Sequence, residues 1–120
     1  MSLRAYQQAA QRAETPRDAE YRLFAQVTRA LMEAKSKPRD DFKGWMDALH
    51  WNRRLWAALA DDCSQDSNAL PEATRAQIIS LSLFVNRHTS AVMRQEGDID
   101  TLIDINRSVM QGLATKPESA

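Results

Sequence analysis

Apolar residues recur every three or four positions along most of this chain, which is the spacing of an amphipathic α-helix. Prolines and glycines separate these stretches at intervals that suit helices. The pattern therefore predicts an all-α fold, a single-domain helical bundle of about four to five helices. We place this bundle domain at residues 1–113 and expect residues 114–120 to form a disordered tail.

The segment covering residues 70–94 carries apolar side chains in nearly every direction around a helix, and Pro71 suits the first helical position. A half-buried strand is the alternative, because Ile79, Leu81, Leu83 and Val85 alternate with Ser80 and Ser82 over most of the run. The flanks favour the helix, since no turn cluster bounds the apolar run and no glycine occurs between Gly44 and Gly97. We expect this helix to be the buried core and to end near Gly97, in a left-handed C-terminal residue.

The same spacing predicts further helices, each with a suitable residue at its N-terminus. Ser2 caps the first, Thr15 precedes Pro16 at the second, and Asp98 caps the last, which ends at Gly112. Their apolar stripes are Leu3, Tyr6, Ala10 and Ala13; Tyr21, Phe24, Val27, Leu31 and Ala34; and Ile99, Leu102, Ile103, Asn106, Val109 and Met110.

All three tryptophans fall in a helix predicted for residues 41–62. Its first apolar stripe contains Phe42, Trp45, Met46, Leu49, Trp56 and Leu59. A second stripe contains Ala48, Trp51, Leu55 and Ala58. A helix with two apolar stripes either lies between two neighbours or leaves one face for a partner.

Charge and cysteine content narrow the classes of function. The 16 Lys and Arg residues balance 16 Asp and Glu residues, so no net field attracts nucleic acid or an anionic membrane. The single cysteine excludes an internal disulfide framework. No apolar run approaches the roughly 18 residues of a membrane span. We therefore expect a soluble, cytoplasmic protein with no membrane partner.

Few residues could act as a nucleophile or base near neutral pH, and they are His50, His88 and Cys63. The histidines lack a second ligand at helical spacing, and two aspartates precede Cys63, where they raise a thiol pKa. No glycine-rich phosphate loop is present. The sequence thus predicts a protein that is not an enzyme and holds no cofactor or metal.

Two polar features interrupt the apolar pattern. Arg53 lies between Leu49 and Trp56, where an aliphatic residue is expected. Either its stem packs while its head forms an ion pair or stacks on tryptophan, or it anchors a protein interface. The polar run Asn86–Ser90 follows apolar turns and forms either a solvated helix end or a polar rim beside an apolar groove.

Several stretches carry a resemblance to a known family, in order and over nearly the whole chain. They are Leu3–Tyr6, Pro16–Leu31, Asn52–Trp56, Leu70–Pro71, Arg75–Leu81, Arg87–Ser90, Leu102–Arg107 and Met110–Leu113. Together they resemble FlaF, a family of flagellar biosynthesis regulators of alphaproteobacteria. None of these stretches is a catalytic signature.

The resemblance implies a cytoplasmic secretion chaperone that binds flagellin, promotes flagellin synthesis and export, and works with FlbT, a regulator that restrains flagellin translation. A groove in a helical bundle would suit the amphipathic terminal helices of flagellin. The resemblance supplies no binding residues, so the candidates come from the apolar-plus-arginine face and the polar run. They are Trp51, Asn52, Arg53, Leu55, Trp56, Arg87 and His88.

Other functions stay open. One is a helical adaptor that acts through FlbT without chaperoning, or a homodimer closed by the second stripe. Another is a regulator that binds flagellin messenger RNA. Its local support is Lys35, Lys37 and Arg39, which Asp40 and Asp41 offset, and the zero net charge argues against direct nucleic-acid binding.

Overall fold

A computed structural model of the chain describes Leu3 and residues 16–114, and over this part the protein is built from α-helices without strands. Helix α1 spans Pro16–Lys35, α2 spans Phe42–Cys63, α3 spans Glu72–Met93 and α4 spans Ile99–Ala114. The all-α prediction is confirmed, and α3 is a helix rather than a strand. The predicted first helix and the tail lie outside the described residues, apart from Leu3 and Ala114.

Local sequence explains where α1 and α2 begin and end. Pro16 opens α1, where a missing N–H leaves no helical bond unmade, and Lys35 lies at the C-terminal end that favours positive charge. At the start of α2, the Asp41 carboxylate accepts a hydrogen bond from the Gly44 amide at 3.3 Å. This bond satisfies one of the amides that the first turn of a helix leaves free.

The helices form a closed ring in which α1 packs on α2 and α4, and α3 packs on the same two helices. The contact of α3 with α2 is the most extensive in the ring, and its contact with α4 is the least. Inside the ring, Phe24 meets Trp56 edge to face, with ring centroids 5.7 Å apart. The core cluster consists of Phe24, Leu31, Ala34, Trp45, Ala48, Leu49, Trp56, Val85, Val92, Ile99, Leu102 and Ile103.

A buried chain of polar side chains crosses the ring from α2 to α4. Nε1 of Trp56 donates to Oδ1 of Asn106 at 2.9 Å, and Nδ2 of Asn106 donates to Oδ1 of Asn52 at 2.8 Å. The exposed fractions of these side chains are 1% for Trp56 and 0% for both asparagines. Because water does not compete there, the bonds fix how α2 and α4 face each other. The Nδ2 of Asn52 finds no acceptor in the described part of the chain.

The prediction that α3 is the buried core helix is wrong. Its buried residues are Val85, Thr89 and Val92. By contrast, Leu81, Leu83 and Phe84 are 36%, 60% and 42% exposed. The helix packs on α2 along one side and touches α4 sparingly, so its outer half meets solvent. Apolar residues on all sides of a helix show that it could bury its whole surface. They do not show how many neighbouring helices are present to cover that surface.

Both glycine predictions at helix ends are wrong. Helix α3 ends at Met93, and the left-handed residue beyond it is Gln95, with φ 61°, whereas no glycine of the described residues has a positive φ. The Glu96 amide donates to the carbonyl of Ala91 at 2.8 Å, which closes the helix before Gly97 is reached. Gly112 lies inside α4, which continues to Ala114.

Candidate partner-binding surface

A cavity of about 290 Å³ lies between α2 and α3. It is lined by Arg53, Trp56, Ala57, Ser82, Leu83, Val85 and Asn86. Arg53 and Ala57 are one helical turn apart, so α2 presents both on the side that faces α3. Leu83 is 60% exposed, and one wall of the cavity therefore reaches the protein surface.

Arg53 is half-buried beside this cavity and joins the two helices. Its Nη2 donates to the backbone oxygen of Asn86 at 3.0 Å and to Oγ of Ser90 at 2.6 Å. Both acceptors are neutral, and no carboxylate of residues 16–114 pairs with this guanidinium. Its Nε is buried and has no hydrogen-bond partner in the same range. Arg53 thus brings a positive charge to the cavity that no carboxylate of the described residues balances.

The outer face of α3 exposes apolar side chains next to the cavity. We call Leu83 and Phe84 the α3 outer patch. Leu81 is also exposed, but it lies one turn before the buried Val85 and about 160° around the helix from Leu83, so it is left out of the patch. The Phe84 ring stacks on the His88 imidazole, with centroids 5.4 Å apart. Nε2 of His88 lies 2.7 Å from the backbone oxygen of Asp98, and because a carbonyl oxygen only accepts, this nitrogen carries a hydrogen. The bond ties α3 to the turn that precedes α4.

The residues predicted to bind a partner do not form one surface. Asn52 and Trp56 are 0% and 1% exposed, so in this conformation they belong to the interior. Leu55 is half-buried and packs against the core. Trp51 is half-buried, and it is two residues from Arg53, a rotation of about 200° around the helix axis. Trp51 and Arg53 therefore lie on opposite flanks of α2.

The polar run of α3 is divided among several faces. Asn86 and Ser90 bond Arg53, whereas Thr89 is buried and its Oγ1 donates to the backbone oxygen of Val85 at 2.6 Å. Arg87 is exposed. Of the predicted set, the structure brings Arg53 together with this polar run and with Leu83, which sequence reasoning assigned to the core. Direct contact of the predicted residues with a partner stays a prediction.

A second cavity, also about 290 Å³, is lined by residues of all four helices, Phe24 and Ile78 among them. Cys63 lies in its wall and is 1% exposed. Burial raises the pKa of the Cys63 thiol above its ordinary value, and the nearby charges of Asp62 and Glu20 raise it further. A buried thiol that stays protonated at neutral pH is a poor nucleophile, in agreement with the sequence.

Metal ligands are not grouped in the part of the chain that the structure describes. No set of three or more His, Cys, Asp or Glu side chains lies there in an arrangement that could hold a metal ion. His50 is exposed on α2. None of the helices in residues 16–114 combines the length and the apolar character that crossing a membrane requires.

Comparison with known families accounts for nearly the whole chain. The family model described as Flagellar protein FlaF matches residues 2–113, a range that includes α1, α2 and α3 in full and α4 up to its penultimate residue. Neither the curated proteins nor the solved structures that were compared with the chain gave a match. The chain therefore belongs to the FlaF family of flagellar proteins.

Proposed function

We propose that this protein binds flagellin in the cytoplasm as a secretion chaperone, and that it promotes flagellin synthesis and export together with the regulator FlbT. Membership of a flagellar family supports the flagellar setting. The observation that carries the proposal is the α3 outer patch, whose two side chains are 60% and 42% exposed although the bundle already has a closed core.

Exposed apolar side chains that adjoin one another favour association with a partner. Burial of apolar surface stabilises a complex by about 25 cal/mol per Å², before the losses of association are counted. Leu83 belongs both to the α3 outer patch and to the cavity wall, so the apolar surface continues from the face of α3 into the groove beside α2. Such a surface suits an amphipathic helix laid along α3.

Flagellin fits this description because its terminal segments are amphipathic helices that assemble through their apolar stripes. A chaperone that covers one such stripe keeps the monomer from assembling before export. Stored flagellin would then be available to the export machinery, and the action of FlbT on flagellin translation would be linked to the amount of free chaperone.

The proposal is tested by gel filtration with light scattering of the purified protein mixed with monomeric flagellin. We expect a stoichiometric complex that Leu83→Ser weakens. Leu23→Ser is the matched control, because Leu23 is also an exposed leucine, 39% exposed, but lies on α1. If wild-type protein and flagellin never coelute in mild salt, the chaperone proposal is rejected. Equal binding by both variants would show that the α3 outer patch is not the contact.

The same measurement separates the chaperone from an adaptor. FlbT replaces flagellin in a parallel run, and the leader of the flagellin messenger replaces it in a third. Binding of FlbT alone would favour the adaptor, while salt-sensitive retention of the messenger would favour direct regulation of translation. We expect flagellin to bind in the absence of both.

A further inference from the structure

We propose that the cavity between α2 and α3 receives the carboxylate of an Asp or Glu side chain, carried on an amphipathic helix of a partner protein, and that Arg53 pairs with it. The identity of the partner rests on the function proposed above. The site itself rests on local geometry, namely an unbalanced guanidinium at the edge of a cavity with apolar walls.

The charge of Arg53 is the first argument. A guanidinium remains protonated at any physiological pH, and a half-buried cation without a counter-ion is less stable than one that is paired. Both of its hydrogen bonds, to the neutral oxygens of Asn86 and Ser90, are donated by Nη2. The Nε–H group has no acceptor in residues 16–114. A carboxylate matches the planar fork of arginine and supplies both the missing negative charge and further acceptor oxygens.

The walls of the cavity are the second argument. Trp56, Ala57, Leu83 and Val85 surround the approach to Arg53 with apolar groups. A small hydrated anion would lose water there without gaining contacts. An acidic side chain on a helix brings its own methylene groups to those walls, and apolar residues one turn away along the same helix would lie on the α3 outer patch.

Competing occupants fit the observations less well. Nucleic acid phosphate is recognised by several cations together, whereas Arg53 is the one cationic residue among the described residues that line this cavity, and the chain has no net charge. A second copy of this chain would give a symmetric dimer. Light scattering of the free protein detects such a dimer, and its loss in an Arg53→Gln variant would assign the cavity to self-association and overturn the proposal.

The first experiment follows the arginine Nε–H signals of the full-length protein by NMR while 4-methylpentanoate is added. This probe combines a carboxylate with a leucine-like tail. Arg54, the next residue on α2, is exposed and serves as the internal control. We expect a saturable shift of the Arg53 signal and little movement of the Arg54 signal. Equal, unsaturated shifts of both signals would overturn the proposal.

The second experiment measures the affinity for flagellin of three variants. Arg53→Gln is expected to lower the affinity about tenfold or more, because it removes one member of a desolvated charge pair, while Arg54→Gln stays within about twofold of wild type. Ser90→Ala removes one of the two hydrogen bonds by which Arg53 ties α2 to α3 but keeps the charge, and it is expected to retain most of the affinity.

The outcomes distinguish this proposal from the chaperone function. If wild-type protein binds flagellin and Arg53→Gln binds equally well, the chaperone function stands and the carboxylate site falls. If Ser90→Ala loses as much affinity as Arg53→Gln, the tie between the helices explains the loss and the carboxylate site again falls. If wild-type protein does not bind flagellin, the chaperone function fails, and the NMR titration alone decides whether the cavity takes a carboxylate.

Discussion

The indole N–H of Trp56 donates to the side-chain oxygen of Asn106, which is 50 residues further along the chain, at a distance of 2.9 Å. The two residues lie on α2 and α4, which are not neighbours in the ring of helices. Asn106 is in turn the donor to Asn52, so one amide side chain satisfies groups from two turns of α2. The alignment of α2 with α4 therefore depends on a side chain at a single position.

Replacing Asn106 with alanine should destabilise the fold by about 2–4 kcal/mol, because it leaves the Trp56 indole N–H and the Asn52 oxygen buried without partners. Urea unfolding followed by circular dichroism measures this. Asn86→Ala is the control, since Asn86 is exposed and its hydrogen bonds to Arg53 and Ser90 use the backbone oxygen. A loss below about 1 kcal/mol for Asn106→Ala would show that the network contributes little.

Truncation of two leucines separates the true core from the α3 outer patch. Leu49→Ala removes a side chain that is 0% exposed and should cost about 2–5 kcal/mol of stability. Leu83→Ala removes one that is 60% exposed and should cost less than about 1 kcal/mol while weakening the flagellin complex. Urea midpoints and binding affinities give both numbers. A large loss of stability from Leu83→Ala would show that the outer side of α3 is part of the core.

Substitution of Gln95 by glycine should raise the stability by about 0.5–1 kcal/mol. Gln95 has a φ of 61°, a backbone conformation in which a Cβ atom is strained and glycine is not. Thermal unfolding detects the change, with Gln95→Ala as the control that keeps the strain. The prediction fails if the glycine variant melts below wild type.

Ionisation of the Cys63 thiol should make the stability of the fold depend on pH in the alkaline range. Its pKa is raised in the folded protein above the ordinary value of 9.0, so the folded state favours the neutral thiol. This contribution is fully present below pH 9.0 and is lost as the pH rises through the folded pKa. The difference in urea midpoint between wild type and Cys63→Ala should therefore be constant near neutral pH. Above pH 9.0 the wild-type midpoint should fall relative to that of the variant. An unchanged difference up to the alkaline limit of the fold would contradict it.

Helix identity and most helix boundaries could be predicted because they depend on neighbouring residues. Pro16 at the start of α1 and Asp41 before α2 act on amides within the next turn. The burial of α3 could not be predicted this way. Its apolar content suits a helix surrounded by neighbours, but the number of neighbours depends on how the chain is connected and packed. The end of α3 at Met93, followed by the left-handed Gln95, likewise depends on the turn into α4 rather than on the nearest glycine.

The candidate site was predictable at Arg53, whose charge interrupts an apolar stripe of α2, and in the polar run Asn86–Ser90, but not in the pairing of the two. Its partner Ser90 lies 37 residues away, and nothing in the spacing of the sequence pairs the two. Trp56 and Asn52 were predicted to bind a partner because they belong to the apolar-plus-arginine face of α2 and because tryptophan and arginine are enriched in interfaces, but an indole and an amide can also form a buried hydrogen-bond network. Separating these roles requires the position of Asn106.

The unequal burial of two α2 indoles has a spectroscopic consequence. Trp56 is sealed inside the bundle and Trp51 is half-buried on its flank. Dissolved iodide will quench the emission of Trp51 and spare that of Trp56, whose spectrum will lie at shorter wavelength. Trp45 is 7% exposed and belongs with Trp56, so the unlabelled protein contains one optical reporter for events on the flank of α2 and two for the opening of the bundle.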